Sequence, residues 1–415
     1  MQGFMLKQVY RNKVIILLMG IVLLFFYSCK KDDNTTTSNT TKRTVIVYMA
    51  ANNNLDFFAY QNINAMERGW DSTMGNLIVY IAGTSNDNPA YPVVYKIQHD
   101  TTSQINSAIQ WVYPPQNSCS ASVFSTVIHD IENNFPADSY GLILWSHGTG
   151  WYPPGTKIAS SSGFVLDTNA VRQKMGIAGQ YPIFKSFGVD DTYEMDIIDL
   201  KNALNQKFRF IIFDACYMGS IEVAYELKNN ADYIISSPTE VLSYGFPYQI
   251  MTLYLFSQPF NPVKVADSYV SFYQKQTSPV LQSASVSVVN TSQFDNLITV
   301  TRKIFSSADT LYDVNSLQQL DVSNSGLLYD FGDLYKHLNI SDSMKNELQQ
   351  KLNNLVVYKN STNQIMNKLT LNSFSGLSSY ILNKNDSIYY EYYKKLDWYK
   401  ESGYNNFLGK FVAAP

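Results

Sequence analysis

Phe208-Arg-Phe-Ile-Ile-Phe-Asp-Ala-Cys216-Tyr-Met-Gly219 is the stretch from which the rest of the chain can be read. It opens as an apolar run rich in Ile and Phe, the composition of a strand buried on both faces. It closes on Asp-Ala-Cys and Tyr-Met-Gly and passes into residues 220–229, where Ile221, Ala224, Tyr225 and Lys228 recur at helical spacing. A thiol therefore stands at the carboxyl end of a core strand, just before a helix. In open α/β sheets that edge is where ligands bind, and the helix dipole there favours a thiolate. Free Cys is equally at home as a small buried hydrophobe, so this segment alone leaves nucleophile and core filler both open.

A second segment has the same build: Tyr140-Gly-Leu-Ile-Leu-Trp-Ser-His147-Gly-Thr-Gly-Trp151. Of the four histidines, His99, His129, His147 and His337, only His147 follows a core-strand pattern and precedes a glycine. Alone it could be a hydrogen-bonded turn residue. Parallel strands of one sheet bring their carboxyl ends together, however, so Cys216 and His147 can meet as nucleophile and acid/base partner. Gly148 leaves its backbone N–H unobstructed, as an oxyanion donor requires.

The pair resembles the clostripain family of cysteine peptidases, relatives of caspases, gingipains and legumain. The likeness extends to Thr44-Val-Ile-Val-Tyr-Met-Ala-Ala-Asn-Asn-Asn-Leu-Asp56, to Ser375-Gly-Leu-Ser-Ser-Tyr380, and to the closing Trp398 and Phe407-Leu. It implies a caspase-like αβα sandwich with a mainly parallel sheet and an endopeptidase acting on protein or peptide substrates. Cys216 would attack and His147 would serve as general acid/base, with the N–H groups of Gly148 and Cys216 holding the oxyanion. A dyad suffices in the family, and no motif identifies a third member. Asp214 alternates to the thiol's side of the strand, where the resemblance implies recognition of a substrate Arg or Lys; capping the following helix is its alternative role. The same preference makes Lys157, Arg172, Lys174 and Lys185 expected points of self-cleavage. Pro238 stands where the family often has an acid after Ser237, with Glu240 coming later. No cofactor is required by the sequence; calcium is implied only by some relatives, and no metal ligands are assigned.

At 415 residues the chain has room for one large domain or two. Hydrophobic residues at 45% suffice for a packed core, while 16% charged residues and 31 Tyr suit an extracytoplasmic enzyme. A net charge of −3, with no basic run outside the N-terminus, excludes nucleic acid as the expected partner. No glycine-rich turn follows the first strand, which removes a flavodoxin-like cofactor binder.

Lys7, Arg11 and Lys13 precede the apolar run 14–26 and then Ser28-Cys29, the layout of an export signal. A small residue before a single Cys resembles a bacterial lipoprotein site, with Cys29 lipidated; Phe26 and Tyr27 depart from that pattern, and an uncleaved anchor is the alternative. Lys30-Lys-Asp-Asp33 resembles signals routing lipoproteins to the outer surface of Gram-negative cells, so the expected location is the outer membrane, possession of a lipid anchor being the membrane contact. Loss of three positive charges and no negative one takes the mature chain from −3 to −6. Cys119 and Cys216 then remain, and a disulfide between them would silence the nucleophile.

The expected organisation is a signal peptide 1–28, a polar tether 29–43, a catalytic domain 44–289 and a smaller C-terminal α/β part 290–415. Strands alternating with helices before residue 289 indicate a parallel sheet covered on both sides. The long segment between the His147 and Cys216 strands has weak periodicity until the helix near residues 196–204, a mark of functional segments. A catalytically inactive peptidase fold serving as a binding or scaffolding lipoprotein is the rival reading.

Overall fold

The computed structural model describes residues 41–84, 91–153, 187–308, 314–322, 328–381 and 387–411. The expected signal segment, Cys29, most of the tether, and Lys157, Arg172, Lys174 and Lys185 lie outside these residues. The strands include β1 (Thr44–Ala51), β2 (Asn76–Gly83), β3 (Val93–Lys96), β4 (Ala108–Val112), β5 (Tyr140–Trp145), the hairpin β6 (Phe187–Asp190) and β7 (Tyr193–Met195), then β8 (Phe208–Asp214), β9 (Ala231–Ser236), β10 (Ser285–Asn290), β11 (Tyr329–Asp330) and β12 (Val356–Ser361). Nine of them form one sheet in the order β12-β10-β9-β8-β5-β1-β2-β3-β4. The central five are parallel and the outer pairs antiparallel.

Alternation along β1 shows how the sheet becomes the middle layer. Ile46, Tyr48 and Ala50 enter one core, and Val45, Val47, Met49 and Ala51 the other. The helices include α1 (Asp56–Gly69), α2 (Ala121–Asn134), α3 (Ile197–Ala203), α4 (Ile221–Glu226), α5 (Tyr248–Leu255), α6 (Pro262–Gln274), α7 (Phe294–Ser307), α8 (Phe331–Lys336) and α9 (Asp342–Leu355). Helices α1, α5 and α6 cover the second face; α2, α3, α4, α7, α8 and α9 cover the first. In α7 the buried residues Phe294, Leu297, Ile298, Val300, Thr301, Ile304 and Phe305 fall on one side of the helix, which is why it lies flat on the sheet. The architecture is the expected caspase-like αβα sandwich. No helix among the described residues is long and apolar enough to cross a membrane.

The part from residue 290 packs on the rest: β12 pairs with β10 at the sheet edge, and α7 and α9 share the first core. The Cys119–Cys216 disulfide is absent. Both thiols are free; Cys119 belongs to the core on one side of the sheet, and Cys216 packs against the other.

Candidate active site

Strands β5 and β8 are neighbours, with Trp145 paired to Asp214 at their carboxyl ends. His147 and Cys216 each follow two residues later. The β5 turn is laced to β1 and β6: Ser146 Oγ donates to the Ala50 carbonyl at 2.7 Å and accepts from the Val189 N–H at 3.0 Å, while the Gly188 N–H donates to the His147 carbonyl at 3.0 Å. The β8 turn is held by the Tyr217 N–H on the Thr239 carbonyl at 3.0 Å and the Gly219 N–H on the Ser237 carbonyl at 2.8 Å. Tyr217, immediately after the thiol, sits at φ 61°, a left-handed backbone that non-glycine residues adopt at a cost.

The two turns touch. A Cβ on Gly148 would stand 2.7 Å from the Cys216 carbonyl oxygen and 3.0 Å from side-chain atoms of Ala215 and Met218. Gly150, at φ 78°, approaches the Tyr217 carbonyl in the same way, with 3.0 Å for a Cβ. The glycines flanking Thr149 are thus required by close contact with the Cys216 turn. The tail closes the arrangement from behind: the Ser378 N–H donates to the Gly219 carbonyl at 3.0 Å, and buried Glu222 on α4 accepts from the Tyr380 N–H and the Tyr393 hydroxyl, both at 2.9 Å.

His147 is buried, and its Nε2 lies 2.7 Å from Asn54 Oδ1. Burial lowers its pKa to about 3, so the ring is neutral. Asn54 belongs to the turn after β1. Its only sequence signal was a polar triplet at the carboxyl end of a core strand.

The Cys216 Sγ donates to the Val241 carbonyl at 3.5 Å and accepts from the Val241 N–H at 3.3 Å. Burial pushes the thiol up to about 12, with Glu240 and Asp214 adding to the rise and the Val241 N–H opposing it. The resting thiol is therefore protonated, unlike the expected dipole-favoured thiolate. Burial outweighs α4, which has only six residues.

Asp214 does not cap α4; Ser220 does, accepting from the Val223 N–H at 3.2 Å. The buried Asp214 carboxylate faces the opposite side, where Oδ2 accepts from the Phe246 N–H at 3.0 Å and the Tyr248 hydroxyl at 2.8 Å. Burial raises its pKa to about 6 against those two bonds. Among the described residues no Lys or Arg pairs with it. Pro238 packs beneath the nucleophile turn, with its N 2.5 Å from where a Gly219 Cβ would be. Glu240 is buried against the same turn: it accepts from the Tyr217 hydroxyl, and from the Val322 N–H at 2.9 Å, and burial lifts it to about 7. As for calcium, the described residues contain no group of three or more His, Cys, Asp or Glu able to hold a metal ion.

A mainly parallel sheet that presents Cys and His from neighbouring strand ends defines the caspase-like class of protein. The family model of the clostripain family matches residues 47–179 and 178–411, and the chain belongs to that family. Among solved structures it is similar to an inactive zymogen C11 protease from Parabacteroides distasonis, at 30% identity over 88% of this chain and 99% of that one, with a TM-score of 0.71. It is similar also to a secreted C11 cysteine protease from Bacteroides thetaiotaomicron in complex with an irreversible peptide inhibitor, at 29% identity over 88% and 99%, with a TM-score of 0.72. No curated protein matches.

Proposed function

We propose that the protein is a surface-anchored cysteine endopeptidase that cleaves after Arg or Lys. The observation that carries this reading is the contact between the His147-Gly148 and Ala215-Cys216 turns at adjacent strand ends. Thiol and imidazole both rest neutral, so His147 takes the thiol proton as Sγ attacks the scissile carbonyl carbon. The oxyanion is held by the N–H groups of Gly148 and Cys216, each worth roughly 3–4 kcal/mol by analogy with measured donors. As the C–N bond breaks, His147 returns the proton to the leaving amine, and water then hydrolyses the thioester. For Sγ to reach a substrate it must exchange its Val241 contacts for the reaction coordinate.

An irreversible active-site-directed peptide reagent tests the reading directly. It is expected to label Cys216 and not Cys119, which is buried with its pKa raised well above the ordinary value. Absence of labelling, with no hydrolysis of any peptide in a P1-scanned fluorogenic set, would leave the inactive scaffold as the better account.

The anchor proposal rests on Ser28-Cys29 and the basic and apolar segments before it. Cys29→Ala is expected to release the protein from membranes or block its maturation. Unchanged fractionation together with unchanged lipid labelling would remove the lipoprotein proposal.

A further inference from the structure

We infer that Asn54 is a positioning residue for the reaction, holding the His147 ring so that Nδ1 rather than Nε2 carries the transferred proton. The inference rests on the proposed peptidase reading and adds a third member to the dyad. The side chains of Asn52, Asn53 and Asn54 leave β1 in succession and have different partners. The Asn52 Nδ2 donates to Asp190 Oδ1 at 2.6 Å. The Asn53 Nδ2 donates to the carbonyls of Ala50 at 2.9 Å and Val189 at 2.7 Å, and its Oδ1 accepts from the Leu55 N–H at 2.8 Å. These bonds fix the turn against β6, the hairpin strand that also binds the His147 carbonyl through the Gly188 N–H. Asn54 is thereby carried on a rigid turn to the imidazole, with Oδ1 2.7 Å from Nε2.

An amide oxygen can only accept. A neutral ring in this contact keeps its proton on Nε2, so the basic lone pair is on Nδ1. The tautomer is selected before substrate arrives, and the ring is prevented from rotating while it shuttles the proton. A buried neutral amide does this without the charge of an Asp, which would favour imidazolium over the neutral base.

Four variants of the full chain and one spectroscopic measurement test this. Asn54→Ala should lower kcat on the preferred peptide about 10- to 100-fold with KM changed less than twofold, a fraction of the ~10²–10⁴ that a positioned acid–base group supplies. Asn54→Asp accepts the same bond and should restore most of kcat, while raising the His147 pKa and moving the acid limb of the kcat/KM profile upward by at least one pH unit. The 15N resonances of His147, assigned by comparison with His147→Ala, should show the Nε2–H tautomer in the wild type and a loss of that bias in Asn54→Ala. A wild-type ring protonated on Nδ1 overturns the inference even if Asn54→Ala does not fold, and so does a folded Asn54→Ala with wild-type kcat. Cys216→Ala separates the two layers: if it retains turnover, the peptidase dyad itself is wrong, whereas an inactive Cys216→Ala beside a fully active Asn54→Ala discards only the role of Asn54.

Discussion

Cys216→Ala and His147→Ala are each expected to abolish peptide hydrolysis, by a factor on the order of 10⁴ or more, while the melting temperature at neutral pH stays close to that of the wild type. The loss is large because the two groups act on one proton and one bond; removing either leaves only binding and the oxyanion donors. The stability effect is small because neither side chain holds the sheet together. Cys216 contributes weak sulfur contacts to Val241, and His147 a side-chain bond to Asn54. The turns themselves are fixed by backbone and Ser146 hydrogen bonds that both variants retain. The pH dependence supplies a second signature. The His147 pKa falls from an ordinary 6.5 to about 3 on folding, so between those values the unfolded chain binds more protons. Its contribution to stability is fully present above 6.5 and is lost progressively as pH falls toward 3. At pH 5 that amounts to about 2 kcal/mol. His147→Ala lacks this slope, so its melting temperature should gain on the wild type as the solution is acidified. Near-native turnover by either variant would show that the dyad is assigned to the wrong residues.

Cys216 and His147 were legible as candidates because both strands are buried on two faces. A parallel central strand must be apolar throughout, so the first polar residues after β5 and β8 mark the edge where chemistry can occur. Asn54 was not legible in that way. Its bond to His147 spans 93 residues of chain, and an Asn after a strand has a sufficient local use in turns, as Asn53 demonstrates with the Leu55 N–H. Strands β4 and β12 escaped notice for a different reason. Every residue of Ala108–Val112 is exposed or half-buried, and Val356-Val-Tyr-Lys-Asn-Ser361 is an edge strand with polar residues, so neither shows a clear apolar face. Missing β12 made the tail look separable, although it completes the sheet and its Ser378 braces the nucleophile turn. The protonated thiol was equally hidden, since its partner Val241 lies in a segment with no periodic pattern. Sequence placed Asp214 correctly beside the thiol but could not choose between helix cap and pocket wall; Ser220, four residues after the thiol, settles the cap.

Asp214→Asn is expected to lower kcat/KM for cleavage after Arg or Lys by roughly ten- to a hundred-and-fifty-fold, the equivalent of a charge-assisted hydrogen bond of about 1.5–3 kcal/mol, while making the protein no less stable. Both effects have one cause. Among the described residues the carboxylate is buried with two neutral donors and no cation, and burial raises its pKa from 3.8 to about 6. Between those values the folded state binds more protons than the unfolded one. The stability associated with this group is fully present below 3.8 and is lost as pH rises through 6, leaving a deficit of about 3 kcal/mol at pH 8. An Asn oxygen can accept from the Phe246 N–H and Tyr248 hydroxyl as Oδ2 does, and it carries no charge to desolvate. The variant should therefore melt higher than the wild type at pH 8, and the difference should close by pH 4. A substrate Arg or Lys removes the same deficit in the wild type by bringing the missing cation, so wild-type KM for basic peptides should rise as pH falls below 6 and stay flat in Asp214→Asn. Fluorogenic peptides scanned at P1 provide the decisive comparison: a flat wild-type profile, or a preference for acidic or apolar residues, would mean that this carboxylate does not select the substrate, whatever it does to the melting temperature.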